Sequence, residues 1–337
     1  MFRRVLSAVV LVLLGALLLV AAWPQLLGIQ REAVVVQVTT MRGLLAAVAL
    51  LVVVLFTLIA LLSTGLRRFA GAVALMMLAF AGIQFAVLTT RGAGGAAFEQ
   101  KAAGDLTVLS WNTLGETVTA ETVASLVAAE DADIVVLPET SAAYGQSVAA
   151  ASGLAFEVIP LAYDDISLAR STVVLVSTEL GDYVLDESRG GTDTLPSVLA
   201  VPADGSGPTI VGAHPVAPVP GEMGGWRQGL QWLAARCAGE NVIVAGDLNS
   251  TLDHYTGLDA ASNASGGLGG CVDGARATGN AAVGTWPAVL PTLLGAPIDH
   301  VMATPNWEFV GFRVIASLDD AGSDHRPVVA QLRPADD

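Results

Sequence analysis

Six short motifs carry side chains suited to metal binding and acid–base chemistry. The fullest is Gly246-Asp247-Leu248-Asn249, which follows the apolar run 241–245. A β-branched run that stops at Gly-Asp is typical of a buried strand bringing a carboxylate and an amide to a sheet edge. Alone, the tetrapeptide is also ordinary turn chemistry. The other five motifs are Trp111-Asn112-Thr113, Pro138-Glu139-Thr140, Ala213-His214-Pro215, Ile298-Asp299-His300 and Ser323-Asp324-His325.

This set of side chains suits the hydrolysis of a phosphoester. Such a reaction needs a divalent cation, a group that orients the attacking water, and donors that stabilise the charge of the transition state. Mg²⁺ prefers a few carboxylate or amide oxygens and keeps several waters, so isolated acids on different strands suit it. Glu139 is the leading candidate ligand. A Pro-Glu pair after a strand is equally typical of a solvated turn or of a helix start, and the other five motifs favour the functional interpretation.

The six motifs, in this order, resemble the endonuclease/exonuclease/phosphatase superfamily. The resemblance extends from about Asp105 to Arg333. It implies a four-layer α/β sandwich in which two packed mixed β-sheets are flanked by helices. The residue pattern without the resemblance supports only a strand-rich α/β domain.

The resemblance also implies a metal site. Asn112 and Glu139 match the amide and the carboxylate of that site, and Asp324 matches a further carboxylate on the metal side. The expected cofactor is Mg²⁺, with Mn²⁺ as an alternative.

The remaining matches are catalytic. His325 matches the histidine that contacts the scissile phosphate, as a base or as a proton-bearing stabiliser, and Asp299 matches the carboxylate that fixes its tautomer and raises its pKa. Asp247 and Asn249 match the pair that orients the attacking water and holds a phosphate oxygen. His214 matches a second histidine that assists the leaving group.

Several other polar and aromatic residues have expected roles outside the chemistry. His300 should point away from Asp299 and be structural, because neighbouring side chains of a strand alternate between faces. His254 is expected to be solvated, and Trp286 to be a packing residue. Tyr163 and Tyr183 are weak matches to the tyrosine of abasic-site endonucleases, which argues against a role in abasic-site repair.

The elements that must position these residues alternate between strand and helix. Residues 260–284 are rich in Gly, Ala and Ser and predict a long surface loop. Helices are predicted near 119–130, 140–151 and 224–238. Strands are predicted near 106–111, 133–137, 155–159, 171–178, 197–202, 209–213, 241–245, 298–303, 309–316 and 327–332.

The chain is too apolar for an ordinary soluble protein. Its 337 residues are 53% hydrophobic, and the mean hydropathy is +0.62. The apolar residues concentrate in three stretches of about 20 residues, the length that crosses a bilayer as helix; they are 5–23, 44–63 and 69–89. We therefore predict a membrane anchor over 1–92, a Gly/Ala-rich flexible linker over 93–104 and a catalytic domain over 105–337.

The arginines predict the orientation of this anchor. Arg3 and Arg4 precede the first stretch, while Arg67 and Arg68 lie between the second and the third. The positive-inside tendency puts both segments in the cytoplasm, so three spans carry the catalytic domain outside a multi-pass protein of the cell membrane. A cleaved signal peptide is the alternative for the first stretch, and it leaves the domain on the same side.

The two cysteines and the net charge of the predicted domain bear on its compartment and its partners. Cys237 and Cys271 are compatible with one disulfide in an oxidising compartment or with two unrelated buried thiols. From residue 105 onward the chain has eight arginines, no lysine and 29 acidic residues, a net charge of −21. Because proteins grip nucleic acids by neutralising phosphates with Lys and Arg, this balance disfavours a long polyanion as partner.

The sequence therefore predicts a membrane-anchored, extracytoplasmic, Mg²⁺-dependent phosphoesterase. The expected substrate is a phosphodiester in a lipid headgroup or a small metabolite. An extracytoplasmic nuclease acting on DNA or RNA is the alternative among enzymes. A non-catalytic membrane module that binds through the same fold is the alternative of another class.

Overall fold

The protein divides into two compact units, Met1–Arg91 and Gly92–Asp337. The computed structural model describes residues 2–94, 98–164, 166–258 and 267–335. Residues 95–97 of the predicted linker, and residues 260–266 of the predicted surface loop, lie outside the described residues.

The N-terminal unit is helical. Three of its helices are long and apolar enough to span a membrane, since about 20 residues of helix cover roughly 30 Å of hydrocarbon. Arg42, two residues before the predicted stretch 44–63, begins a helix and donates to the Gln84 side chain at 2.6 Å. The four helices are α1 (Phe2–Ala22), α2 (Val35–Thr40), α3 (Arg42–Leu62) and α4 (Arg67–Arg91).

The C-terminal unit contains two six-stranded sheets. Their strands are short and rich in buried β-branched residues, as expected for sheets covered on both faces. The strands are β1 (Leu106–Ser110), β2 (Ile134–Pro138), β3 (Phe156–Ala162), β4 (Ser171–Ser177), β5 (Tyr183–Leu185), β6 (Val198–Pro202), β7 (Thr209–Ala213), β8 (Val242–Asp247), β9 (Val272–Asp273), β10 (Asp299–Ala303), β11 (Trp307–Val314) and β12 (Val328–Pro334).

Both sheets are mixed. The first has the order β11-β12-β1-β2-β4-β3 and the second β5-β6-β7-β8-β10-β9. Only β1 with β2 and β7 with β8 pair in parallel within these two orders. The sheets pack closely face to face, because a Cβ added at Gly212 of β7 would lie 2.5 Å from Val174 of β4.

Helices cover the outer faces of the sheets, so the predicted four-layer αββα sandwich is confirmed. The helices α5 (Ala120–Ala129) and α6 (Ala142–Ser152) pack on the first sheet, and Thr119 and Ser141 cap their first turns. The helix α7 (Met223–Arg236) turns its apolar face inward through Trp226. A short helix, α8, covers Gly274–Ala277.

The predicted surface loop over 260–284 is wrong for the part that the structure describes. This segment contains β9 and α8, and Leu268, Cys271 and Asp273 are buried. A disulfide joins Cys237 to Cys271, so of the two interpretations of the cysteines the disulfide is correct. The segment is held by this bond and by its pairing with β10 rather than by an amphipathic pattern.

One edge of the sandwich gathers the six motifs. We call this edge the rim: β1, β2, β7 and β8 end there, and β4, β10 and β12 begin there. The register fixes it, because Asp299 lies opposite Asp247, Val328 opposite Ser110 and Thr172 opposite Pro138. Parallel strands deliver the residues that follow them to the same edge of a sheet.

Candidate active site

The first sheet contributes an amide and a carboxylate. Asn112 follows β1 and Glu139 follows β2, and the Asn112 Nδ2 atom donates to Glu139 Oε1 at 3.1 Å. The same nitrogen donates to Asp247 Oδ2 of the second sheet at 3.1 Å. Asn112 is buried and therefore links the two sheets at the rim.

The orientation of the Asn112 amide is determined by its surroundings. Its Oδ1 atom accepts from the Leu114 backbone N–H at 2.9 Å, while its nitrogen faces the two carboxyl groups. A flipped amide would put donors against donors and acceptors against acceptors. In this arrangement Asn112 is a donor that positions Glu139 and Asp247, and its predicted role as an oxygen ligand stays a prediction.

The second sheet contributes Asp247 and Asn249 after β8. Asp247 Oδ1 accepts from the Asn249 backbone N–H at 2.9 Å. The Asn249 side chain donates to the Pro215 carbonyl at 3.0 Å, and the Asn249 carbonyl accepts from the Trp226 indole at 2.9 Å. The pair is thus held by β7 and α7 as well as by its own strand.

His325 and Asp299 form a buried pair. His325 Nδ1 and Asp299 Oδ2 lie 2.9 Å apart, and the Asp299 backbone N–H donates to the Thr285 hydroxyl at 3.1 Å. The other ring nitrogen, Nε2, lies 3.7 Å from Asp247 and 3.9 Å from Asp324. This geometry assigns the Nδ1 proton to the Asp299 side and turns Nε2 toward the remaining carboxyl groups.

Burial and charge shift the pKa values of three groups in opposite directions. Burial lowers the pKa of His325, but the charges of Asp299 and Asp247 and the hydrogen bond to Asp299 outweigh it and raise that pKa to about 10. Burial raises the pKa of Asp247 to about 7 against the opposing charge of His325. Burial, followed by the charge of His325, lowers the pKa of His214 to about 3. The two histidines therefore differ in protonation at neutral pH.

His214 lies at the end of β7, as expected, and is buried. Its Nε2 atom is 3.9 Å from Glu139 Oε1, and its backbone N–H donates to Ser197 Oγ at 2.9 Å. Within the described residues its Nδ1 atom has no hydrogen-bond partner. The imidazole therefore faces Glu139 through Nε2, while its buried Nδ1 atom makes no hydrogen bond within the described residues.

Two of the site residues have left-handed backbone conformations. Glu139 has φ 59° and Asn249 has φ 46°. A side chain in this region costs about 1 kcal/mol or more, with Asn better tolerated than Glu. Such conformations cluster at functional sites, where the surrounding structure holds them.

The donor set fits a divalent cation. Four carboxyl side chains, those of Glu139, Asp247, Asp299 and Asp324, converge with two imidazoles. Among the described residues, Asp299 Oδ1 and Asp324 Oδ1 are buried and accept no hydrogen bond, and a buried carboxylate oxygen left in this way is costly unless a cation or water satisfies it. Hard divalent cations prefer such oxygens.

Two sets of ligands are available to that cation. Asp247, Asp299 and His325 each present one ligand atom, and these atoms lie within 4.8 Å of one another. The hydrogen bond between His325 Nδ1 and Asp299 Oδ2 occupies one atom of each of these two residues. Among the described residues, no histidine lies at hydrogen-bond distance from Glu139 or Asp324. Glu139 Oε1 accepts from the Asn112 amide at 3.1 Å, and Asp324 Oδ2 accepts from the Trp286 indole at 2.8 Å.

Trp286 differs from its prediction. Its indole nitrogen donates to Asp324, so it orients a predicted metal-side carboxylate rather than only filling space. In the same way the Trp111 indole donates to the His325 carbonyl at 2.9 Å, and Ser323 Oγ donates to the Asn112 carbonyl at 2.7 Å. Trp111 and Ser323 lie inside two of the six motifs, whereas Trp286 lies outside all of them.

The other two histidines lie outside the cluster formed by the six motif side chains that are described above. His300 is structural, as predicted: its ring nitrogens contact Asp273 Oδ2 at 2.6 Å and the Ser250 carbonyl at 3.0 Å. The prediction for His254 is wrong, because it is buried and its Nδ1 accepts from the Thr251 N–H at 3.0 Å. The surrounding loop folds back into a 3₁₀ turn that encloses the imidazole.

The two tyrosines separate in the structure. Tyr163 lies on the rim loop between β3 and β4, and its hydroxyl donates to the Thr192 carbonyl at 2.6 Å. Tyr183 lies on β5 opposite Pro202, at the edge away from the rim.

A comparison with sequence models of protein families matches residues 109–325 to the endonuclease/exonuclease/phosphatase family. The chain belongs to this family. The match spans all six motifs from Asn112 to His325, and members of the endonuclease/exonuclease/phosphatase family are phosphoester hydrolases that use divalent metals. A comparison with curated proteins finds no match.

Solved structures show the same fold. A humanized D. rerio TDP2 carrying 14 mutations superposes with a TM-score of 0.51 at 18% identity, over 68% of this chain and 99% of that chain. A family protein from Bacteroides vulgatus gives 0.50 at 17% identity, over 70% and 100%. At these identities the likeness concerns the fold alone.

Proposed function

We propose that this protein is a membrane-anchored, divalent-metal-dependent phosphodiesterase whose catalytic domain, residues 105–337, lies outside the cytoplasm. The observation that carries the proposal is the Asn112 amide, which joins Glu139 of one sheet to Asp247 of the other beside the Asp299–His325 pair. Metal-side and water-side groups thus share one site, as in-line attack on phosphorus requires.

The attacking water is assigned to Asp247 and Asn249. Asp247 accepts one water proton while the water oxygen bonds to phosphorus, and the P–O bond to the leaving alcohol breaks. Asn249, held by Pro215 and Trp226, offers its amide to a phosphate oxygen. The products are a phosphomonoester and an alcohol. The proton that Asp247 accepts passes through water to the leaving oxygen, so the step balances. His214, whose pKa is lowered to about 3, is neutral and is assigned a hydrogen bond to the leaving group rather than a proton transfer.

His325 is assigned to the phosphate itself. Its Nδ1 atom is occupied by Asp299, so Nε2 is the atom that faces the reacting groups and donates to a phosphate oxygen. Fixed donors of this kind stabilise the charge that develops on the phosphate. A divalent cation held by Glu139 and Asp324 would neutralise phosphate charge and polarise the P–O bond; we propose Mg²⁺, with Mn²⁺ as a substitute.

Three observations support the membrane and the compartment. Three helices are long and apolar enough to cross a bilayer, the arginines of the short connections favour a cytoplasmic N-terminus, and the Cys237–Cys271 disulfide is typical of an oxidising compartment. The net charge of −21 from residue 105 onward supports a small or lipid phosphodiester over a long nucleic acid.

The test is hydrolysis by the purified full chain in detergent, with and without EDTA, on bis(p-nitrophenyl) phosphate, phospholipids, DNA and RNA. His325→Ala, Glu139→Gln and Asp299→Asn should each lower kcat/KM by about 10²–10⁴-fold. Glu308→Gln, an exposed residue of β11, is the matched control and should retain the rate. A folded wild type that neither hydrolyses any substrate nor binds Mg²⁺ would favour the non-catalytic module, and preference for DNA or RNA would favour a nuclease.

A further inference from the structure

Exposed apolar side chains of the C-terminal unit concentrate at the rim. Among its described residues, eight large hydrophobic side chains are exposed, and seven of them lie on loops at the rim. The exception is Val184, on the edge strand β5. Besides Tyr163, the rim residues are Leu114, Ile166, Leu168, Val219, Val289 and Leu293.

Two of these side chains are almost fully exposed. Ile166 has 93% and Val289 has 86% of its surface accessible to solvent. Ile166 lies on the loop between β3 and β4 of the first sheet, and Val289 lies on the loop before β10 of the second sheet. Single exposed apolar residues are common, but a set that surrounds one functional site indicates an interaction surface.

The loop before β10 is an uncharged part of this surface. Residues 286–298 contain no charged side chain, although the unit as a whole is strongly acidic. The same loop leads directly into Asp299. An apolar, uncharged segment next to the catalytic pair would meet a substrate that itself has apolar parts.

This loop is rigidly held. The buried Arg326 guanidinium donates to the carbonyls of Gly284, Ala288 and Leu290 at 3.1, 2.6 and 2.7 Å. Since backbone carbonyls are fixed on both sides of Val289, its exposure is built into the fold. A rigid apolar contact loses little conformational entropy on binding.

The N-terminus of the catalytic unit lies beside the same loop. The Ala282 N–H donates to the Gly92 carbonyl at 2.9 Å, and the Gly284 N–H donates to the Thr292 carbonyl at 2.8 Å. Gly92 directly follows the last residue of α4, the third helix that could span a membrane. Gly92 is the first residue of this unit, and its partner Ala282 lies two residues along the chain from Gly284, which contacts the apolar loop.

We propose that the rim loops bind the surface of a zwitterionic phospholipid bilayer and that the substrate is a phosphodiester lipid presented there. The catalytic half of this inference rests on the proposed function. Apolar side chains inserted at the boundary of headgroups and acyl chains would hold the site at the depth of the lipid phosphate. The acidic unit favours a zwitterionic over an anionic surface, because like charges repel.

The experiment uses the full chain in phosphatidylcholine nanodiscs and compares hydrolysis of the disc lipid with that of soluble bis(p-nitrophenyl) phosphate. Ile166→Asp and Val289→Asp should each lower the lipid rate by about tenfold or more, since each removes an apolar contact and adds a charge. Both should leave the soluble rate within about twofold. Val184 is also an exposed apolar residue but lies away from the rim, so Val184→Asp should change neither rate.

A second measurement does not depend on catalysis. In nanodiscs with brominated phosphatidylcholine, the added tryptophan of Ile166→Trp should be quenched, whereas that of Val184→Trp should not. Unquenched Ile166→Trp, an unchanged lipid rate in both Asp variants, or equal loss on both substrates would overturn the rim assignment. The assignment would also be overturned if the wild type self-associates and Val289→Asp abolishes this self-association but leaves lipid hydrolysis intact, because the rim would then bind a second copy of the chain. Quenching without any hydrolysis would support the rim and reject the proposed chemistry alone.

Discussion

Arg326 offers a direct test of how the rim is stabilised. Its side chain is 1% exposed and pairs with Asp319 through two contacts of 2.7 Å. It also donates to the three loop carbonyls described above. Arg326→Met keeps the length and apolar stem of the side chain but removes every donor, so Asp319 and the carbonyls lose their partner.

The expected cost follows from these contacts. Removing one partner of a buried ion pair costs about 3–5 kcal/mol. Asp319 is 32% exposed and can be rehydrated, which lowers its share, while each buried carbonyl left without a donor adds about 1–3 kcal/mol unless water reaches it. We expect Arg326→Met to lower the free energy of unfolding by about 4 kcal/mol, a fall in Tm of about 10 °C for a unit of this size.

The assay is thermal unfolding of the full chain in detergent, followed by tryptophan fluorescence, because five of the six tryptophans lie in the C-terminal unit. Arg170→Met is the matched control. Arg170 pairs with Asp164 at 2.9 Å, but the two side chains are 43% and 26% exposed, so its loss should cost less than about 1 kcal/mol. If both variants melt within about 2 °C of each other, the assigned role of Arg326 is wrong.

Two further predictions concern stability away from the reacting groups. The hydrogen bond from Arg333 outweighs the effect of burial and lowers the pKa of Asp105 from 3.8 to about 2. The resulting stabilisation of the fold is about 1 kcal/mol after screening by solvent. It is present above pH 4 and is lost as the pH falls toward 2. Urea unfolding of Asp105→Asn should lack this part of the pH dependence, and an unchanged dependence would reject the pairing. Replacing Cys237 and Cys271 together by Ala should lower the free energy of unfolding by about 3–4 kcal/mol, since the bond closes a loop with a sequence separation of 34; chemical denaturation without reductant measures it, and wild-type stability would contradict it.

The fold was predictable where local patterns carry the information. Short β-branched runs ending in a polar motif identified most strands, and β8 before Asp247 is the clearest of them. The short strands β5 and β9 were not predicted, because two or three residues are too few to show alternation of apolar and polar side chains. These strands depend on pairing with β6 and β10. Such pairing is a tertiary effect.

The sequence likewise predicts some features of the site and not others. The motifs locate the residues at the rim, since strand ends follow from the pattern, but the sequence cannot show which atom of Asn112 faces which neighbour. It also cannot show that Trp286 reaches Asp324, 38 residues away, or that His254 is enclosed rather than solvated. These contacts depend on the distances between loops, which only the packed structure fixes.

The left-handed backbone at Glu139 and Asn249 has a consequence for engineering. Glycine at either position would relax the main chain by about 1 kcal/mol, because it adopts positive φ without steric cost, and it would delete a side chain of the site. Heat resistance and turnover therefore pull in opposite directions at these two positions. Under the proposed function, a library selected for thermal tolerance alone would exchange these side chains and lose turnover, so such a selection should hold residues 139 and 249 fixed.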